Sequence, residues 1–211
     1  MYFVHTPYLI RKFYNKKLIW DIPTIEKKIF LTFDDGPVLG FTSEILKILN
    51  HFNAKATFFC VGENVKNHKK EFEEILKYEN LVGNHTFNHL NGRNSNLGDY
   101  ISNISKSNDL FETKLFRPPY GRITSKQINE VYKNFRIIMW SVLTGDFDKN
   151  VSKEKCLNNA IKYTRKGSII VFHDNKKTKE KVLFALPRFL EYFSKKGFVF
   201  ENFNENVLKL H

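Results

Sequence analysis

Cysteine is nearly absent from this chain of 211 residues, which carries only Cys60 and Cys156. Two such residues cannot build a disulfide framework or a metal-like spacing, and Cys60 sits in the apolar run Ala56-Thr57-Phe58-Phe59-Cys60-Val61, so both read as buried free thiols. Neither G-x-G-x-x-G nor G-x-x-x-x-G-K-[ST] occurs, and the glycine signals that would favour an open, doubly wound sheet are therefore missing. No Pro/Ser-rich linker, low-complexity tract or internal repeat interrupts the chain, which predicts a single domain over residues 1–211. The first twenty residues are apolar in patches, but Arg11, Lys12, Lys16 and Lys17 break them before a signal-like or membrane-spanning run develops. A soluble, monomeric, cytoplasmic protein with no membrane span is the resulting expectation, with action at the cell envelope by an unrecognised export route as the alternative.

What is present is a large apolar inventory and an excess of positive charge. Hydrophobic residues make up 42% and aromatics 15%, enough for a sizeable core. The net charge of +12 comes mainly from lysines scattered along a Lys- and Asn-rich chain. They form no basic stripe with interleaved aromatics, so nucleic-acid binding is not expected, while attraction to an anionic cell-wall polymer is compatible with the charge.

Short apolar runs read as strands at roughly residues 28–33, 56–61, 80–84, 114–117, 136–142, 168–173 and 198–203, with helical patterns between them. Val182, Leu183, Leu186, Phe189, Leu190 and Phe193 recur at helical spacing, as do Cys156, Leu157, Ala160 and Ile161. Thr124-Ser125-Lys126-Gln127 reads as a capping box, and Gly197 closes the last long helix before the final strand. Strands alternating with helices imply a parallel sheet, either open or closed into a (β/α) barrel, and the missing glycine fingerprints favour the barrel.

The chemistry-bearing residues follow these strands. Leu31-Thr32-Phe33-Asp34-Asp35-Gly36-Pro37 sets two adjacent acids where the first strand stops. His85-Thr86-Phe87-Asn88-His89 follows the third strand, and its two imidazoles can reach one ion if the segment is helical or tightly turned. With Asp35 they make a two-histidine, one-carboxylate set that leaves a position open for water, and Asp34 beside it suits a base. Arg117-Pro118-Pro119-Tyr120-Gly121 follows the fourth strand, where Arg117 can hold a carboxylate bidentately. Thr144-Gly145-Asp146-Phe147 follows the fifth, and His173-Asp174 ends the sixth, at the place where a general acid is needed. Each feature alone has a bland reading as a turn, a loop salt bridge or two surface histidines. Together, on one rim of a parallel sheet, they point to a shared site.

These motifs, in this order, make the chain similar to the polysaccharide deacetylases of carbohydrate esterase family four, over about residues 28–203. The resemblance implies a distorted, incomplete (β/α) barrel of about seven parallel strands. It also implies a hydrolase that removes N-acetyl groups from an amino-sugar polymer or oligosaccharide such as peptidoglycan, chitin or poly-N-acetylglucosamine, using a metal-activated water. By it Asp34 is the catalytic base and His173 the general acid, while Arg117 steadies the base and Asp146 tunes the histidine. Asp35, His85 and His89 bind a divalent ion, Zn2+ or another such as Co2+. Pro119, Tyr120, Phe147 and Ile170 contact substrate, Tyr120 through its backbone N–H and Ile170 as a wall of the acetyl pocket. Phe147 stands where the family usually carries Trp, which bears on sugar stacking. The rival readings are a deacetylase of another ester or amide (acetylxylan or a small N-acyl compound), a non-haem iron oxygenase with the same ligand set, and an inactive glycan-binding module.

Overall fold

The computed structural model describes residues 3–6, 15–204 and 207. Among these are nine strands and seven α-helices, against seven expected strands: β1 lies outside the expected runs, and the run at 136–142 is divided. In chain order they are β1 (Leu18–Ile19), β2 (Lys28–Asp34), α1 (Phe41–His51), β3 (Thr57–Cys60), α2 (Gly62–Asn67), α3 (Lys69–Lys77), β4 (Leu81–Asn84), α4 (Leu97–Asn108), β5 (Leu115–Phe116), α5 (Ser125–Val131), β6 (Arg136–Ile138), β7 (Val142–Leu143), α6 (Lys153–Tyr163), β8 (Ile169–His173), α7 (Lys179–Ser194) and β9 (Val199–Glu201). The strands form one sheet in the order β1-β6-β5-β4-β3-β2-β8-β7, with β9 paired to β2. Every ladder is parallel. This is the expected incomplete (β/α) barrel of parallel strands.

Two places depart from expectation: no apolar run announces β1, and the run at 136–142 divides. Residues 136–142 read as a single strand, but the chain there serves both ends of the sheet: β6 pairs with β5 and with the edge strand β1, and β7, the other edge, pairs with β8. Between them the Met139 amide donates to the Ile19 carbonyl at 2.7 Å and the Ser141 amide to the Ile169 carbonyl at 3.1 Å. Both edges meet in one continuous segment, so the sheet is curled until they nearly touch. Apolar periodicity could not show the break, because Ile137, Ile138, Met139, Val142 and Leu143 are buried on either side of it.

Alternation along β2 explains why a core and a site can share one strand. Ile29, Leu31 and Phe33 face the helices, in a cluster with Phe58, Ile170, Phe172, Phe189 and Leu190. Phe30 lies in the barrel interior with Phe59, Leu115, Ile138, Ile169 and Phe203, and Thr32 and Asp34 continue that inward face. Aromatic packing ties the layers: Phe33 stacks on Phe58 at 4.9 Å, and Phe189 of α7 meets both Phe172 at 6.1 Å and Phe200 at 5.9 Å. The capping box is present at Thr124 and Gln127, Gly197 takes φ +75°, and both cysteines are free and buried. No helix among the described residues is long and apolar enough to cross a membrane.

Phe189 is fully buried and joins α7 to β8 and β9. Phe189→Ala is therefore predicted to cost about 3–5 kcal/mol of unfolding free energy, measured as a lowered urea midpoint at unchanged slope.

Candidate active site

The C-terminal ends of β2, β4, β5 and β8, with the loop after β7, converge on one group of side chains. The register pairs Asp34 directly with His173 across β2 and β8, one level above Thr32 and Val171. Neighbouring strands lie about 4.8 Å apart, so an acid and a histidine face the same pocket from adjacent strands.

Asp34 is buried, and Arg117 Nη1 donates to its Oδ1 at 2.6 Å. The same Nη1 donates to Thr32 Oγ1 at 2.8 Å, while Nε and Nη2 donate to the carbonyls of Ile138 (3.1 Å) and Met139 (2.9 Å). The expected bidentate grip is thus not made: one carboxylate oxygen is held, and the rest of the guanidinium is spent on the segment where the sheet changes edge. The Phe59 ring lies 4.1 Å from the guanidinium carbon, adding a cation–π contact. Burial lowers the Arg117 pKa, and Asp34 opposes that effect by charge and hydrogen bond.

Asp35 turns the other way because its backbone is left-handed, with φ 79°. Its Oδ1 stands 3.2 Å from His89 Nε2 and 3.7 Å from His85 Nε2. The segment from His85 to His89 is neither helix nor simple turn: Thr86 and His89 are also left-handed, at φ 64° and 58°. The Asn84 side chain accepts from the Thr86 amide at 2.8 Å, and Thr86 Oγ1 accepts from the Leu90 amide at 2.8 Å. Such residues cost on the order of 1–3 kcal/mol each, and here surrounding bonds hold them.

Asp35, His85 and His89 each offer a ligand atom within 4.8 Å of the others. His85 Nδ1 bonds the Arg117 carbonyl at 2.8 Å; it must donate there, which leaves the Nε2 lone pair directed at Asp35. Burial first, with His89, lowers the His85 pKa to about 4, so the ring is neutral near pH 7 as a ligand must be. His89 Nδ1 lies 3.0 Å from Tyr120 Oη. Burial works to raise the Asp35 pKa, but hydrogen bonding to His89 and the charges of His173 and His85 bring it below its ordinary value. This donor set fits a divalent ion.

Across the pocket, Asp146 grips His173 twice, accepting from Nδ1 at 2.8 Å and from the backbone N–H at 2.7 Å. Burial alone would lower the imidazole from 6.5, yet Asp146 foremost, then Asp35 and Asp34, push it up to about 9. Phe147 packs edge-on to His173 with ring centroids 5.1 Å apart, and Tyr120 is exposed in a left-handed conformation, φ 60°, beside the buried Pro119.

Ile170 is a correction. It is fully buried in the cluster beneath the helices, on the face of β8 opposite His173, and does not line the pocket. Val171, two residues before His173 and level with Thr32, shares the histidine's face instead, as strand alternation requires.

Four residues were not singled out from sequence. Asn64 donates to the Asp35 carbonyl at 2.7 Å and Asn175 to Asp35 Oδ2 at 3.3 Å. Asp174, fully buried, accepts from Thr42 Oγ1 at 2.6 Å, while its Oδ1 has no partner. Burial, with Asp35 and Glu71, raises the Asp174 pKa to about 7 against the Thr42 hydrogen bond. The clue for Asp174 was its place beside His173; the asparagines and Thr42 carried no signal. Gly36 is required by this carboxyl, since a Cβ there would stand 2.7 Å from the Asp174 carboxyl carbon.

Because the His173 pKa is raised, its pairing with Asp146 stabilises the metal-free fold fully below about pH 6.5 and loses that contribution as pH rises through about 9. NMR titration of the metal-free protein is predicted to place the His173 midpoint near 9, and Asp146→Asn should bring it down toward 6.5. A midpoint unchanged by Asp146→Asn would refute this pairing.

Residues 21–137 match the sequence model of the polysaccharide deacetylases. A peptidoglycan-N-acetylglucosamine deacetylase of Bacillus cereus is 31% identical over 199 residues, spanning 91% of this chain and 93% of its own. The crystal structure of the Bc1960 peptidoglycan N-acetylglucosamine deacetylase, in complex with a naphthyl-substituted N-hydroxybenzamide, superposes with a TM-score of 0.85 at 33% identity, covering 94% of this chain and 95% of that one. BA3943 of Bacillus anthracis, described as a pseudoenzyme of carbohydrate esterase family four, has the same fold at a TM-score of 0.79 and 25% identity, over 90% of this chain and 68% of that one. From the motif match and the near full-length relationship, the chain belongs to the polysaccharide deacetylase family.

Proposed function

We propose that this protein hydrolyses the N-acetyl group of N-acetylglucosamine residues in a peptidoglycan-type glycan, with zinc as its ion. The observation that carries the reading is the division of two adjacent acids: Asp35 stands with His85 and His89, and Asp34 is held by Arg117 opposite His173. A divalent ion held by Asp35, His85 and His89 supplies Lewis acidity toward a water and an acetyl carbonyl.

The chain's own groups do the remaining work. Asp34, aimed by Arg117, accepts the proton of the attacking water. The Tyr120 backbone N–H, carried on a left-handed residue at the pocket, stabilises charge developing on the carbonyl oxygen. His173, kept protonated by Asp146, gives its proton to the nitrogen as the C–N bond breaks, releasing acetate and a free amine. Phe147 and Tyr120, both exposed beside the acid and the ligands, offer rings to a sugar. Relatives named for peptidoglycan N-acetylglucosamine support the substrate.

The parallel α/β scaffold speaks against an iron oxygenase. BA3943, described as a pseudoenzyme, has this fold, so the fold by itself does not decide against an inactive module. What supports catalysis here is that base, ligands, arginine, tuning acid and general acid all converge.

Asp34→Asn is predicted to keep zinc yet lose about 10²–10⁴-fold in turnover, whereas His85→Ala loses both metal and turnover. Acetate release from zinc-loaded protein and metal content after dialysis are the two measurements. Full activity in Asp34→Asn would refute the assignment of the base. Chelation should abolish acetate release, and added zinc should restore it.

A further inference from the structure

We propose that Asn175 is a positioning residue that limits Asp35 to a one-oxygen grip on the ion and so keeps a coordination position open for the reaction. This rests on the deacetylase reading above.

Extended backbone continues past the end of β8. Asn175 has φ −141° and ψ 140°, and the Asp174 amide donates to the Asp34 carbonyl at 2.7 Å. The alternation of a strand therefore runs on, and His173 and Asn175 share the inward face. Asp174 between them is anchored on the other face, buried, with its Oδ2 accepting from Thr42 Oγ1 at 2.6 Å.

Asn175 then opens a short 3₁₀ turn over Lys176–Thr178, and its Oδ1 accepts from the Lys177 amide at 3.1 Å. The buried Thr178 secures this turn, its amide 2.9 Å and its Oγ1 2.8 Å from the Asn175 carbonyl. The acceptor end of the side-chain amide is thereby engaged, and the donor end faces Asp35, with Nδ2 standing 3.3 Å from Oδ2. Serine, threonine or aspartate would cap the turn as well. Asparagine adds an N–H donor on the far side of the same planar amide.

The Asp35 carboxylate is divided by this arrangement. Its Oδ1 stands 3.2 Å from His89 Nε2 and 3.7 Å from His85 Nε2, while Oδ2 takes the Asn175 amide. The backbone cannot withdraw, because Asn64 holds the Asp35 carbonyl at 2.7 Å. Only rotation of the carboxylate is left, and Asn175 opposes it. A carboxylate that chelates with both oxygens fills a position that a catalytic site must leave to water or substrate. Partners of this kind, one step removed from the ion, tune affinity and activity as strongly as 10–100-fold by typical measure, or about that.

The test reads coordination separately from turnover. Zinc-loaded wild-type, Asn175→Ser and Asn175→Ala proteins are crystallised, and in solution each is titrated with acetate as a probe of the open position. Serine keeps an acceptor for the Lys177 amide but is too short to reach Asp35, so it removes the donor and spares the turn. The expected result is one Asp35 oxygen bonded to zinc in the wild type and both in each variant, with acetate binding about tenfold weaker and kcat lowered by about 10–100-fold. One-oxygen coordination with wild-type acetate affinity in Asn175→Ser would overturn the proposal. So would two-oxygen coordination in the wild type, or a wild-type protein that binds no zinc. If coordination changes as expected while the wild type releases no acetate from acetylated glycan, the role of Asn175 stands and the deacetylase reading falls.

Discussion

A buried guanidinium joins the fold to its chemistry. Arg117 is wholly inaccessible to solvent, and leaving such a charge without partners would cost several kcal/mol. Its partners come from two sources. The Ile138 and Met139 carbonyls belong to the segment that leaves one sheet edge for the other, where regular ladder bonding is interrupted. Asp34 belongs to the central strand β2. The closure of the barrel and the orientation of the proposed base are thus consequences of one side chain. Lysine could not replace it, since a single ammonium cannot reach separated carbonyls and a carboxylate with a fixed fork of donors.

The second constraint is backbone handedness. Adjacent residues in an extended strand point to opposite faces, and that alone would send Asp35 into the core behind the sheet. Its left-handed φ of 79° bends the chain at the strand end, so two neighbouring acids enter one pocket in different environments. Gly36 then passes close over the buried Asp174 carboxyl, which explains a small residue there without appeal to unusual φ.

Much of this was legible in the sequence because it depends on local pattern. Strand ends, turn-breaking Gly-Pro, the capping box at Thr124 and the grouping of polar residues after strands all follow from short-range rules. What escaped depends on long-range geometry. The strand at residues 136–142 divides because its two halves meet different neighbours, and no periodicity records which neighbour a strand has. Ile170 was placed at the pocket by its position in a motif, but the sheet face decides: counting back in twos from His173 reaches Val171, and Ile170 faces the helices. Asn64 and Asn175 support Asp35 from loops distant in sequence, and nothing in an isolated asparagine announces such a role.

The strained residues bear on why the site is rigid. Of the non-glycine residues with positive φ, Asp35, Thr86, His89 and Tyr120 lie at the pocket. A chain left to itself would relax each of them, and the relaxed positions would scatter the donors of Asp35, His85 and His89. Side-chain amides oppose this, Asn64 at the Asp35 carbonyl and Asn84 at the Thr86 amide, while Gly62 donates its amide to the Thr86 carbonyl at 3.0 Å. Amides from α2 and from the end of β4 therefore fix the Asp35 turn and the segment from His85 to His89, much as Arg117 fixes the base from below. Pre-organisation of this kind places the cost of strain in folding, where the core shoulders it, and leaves little rearrangement for the moment of reaction.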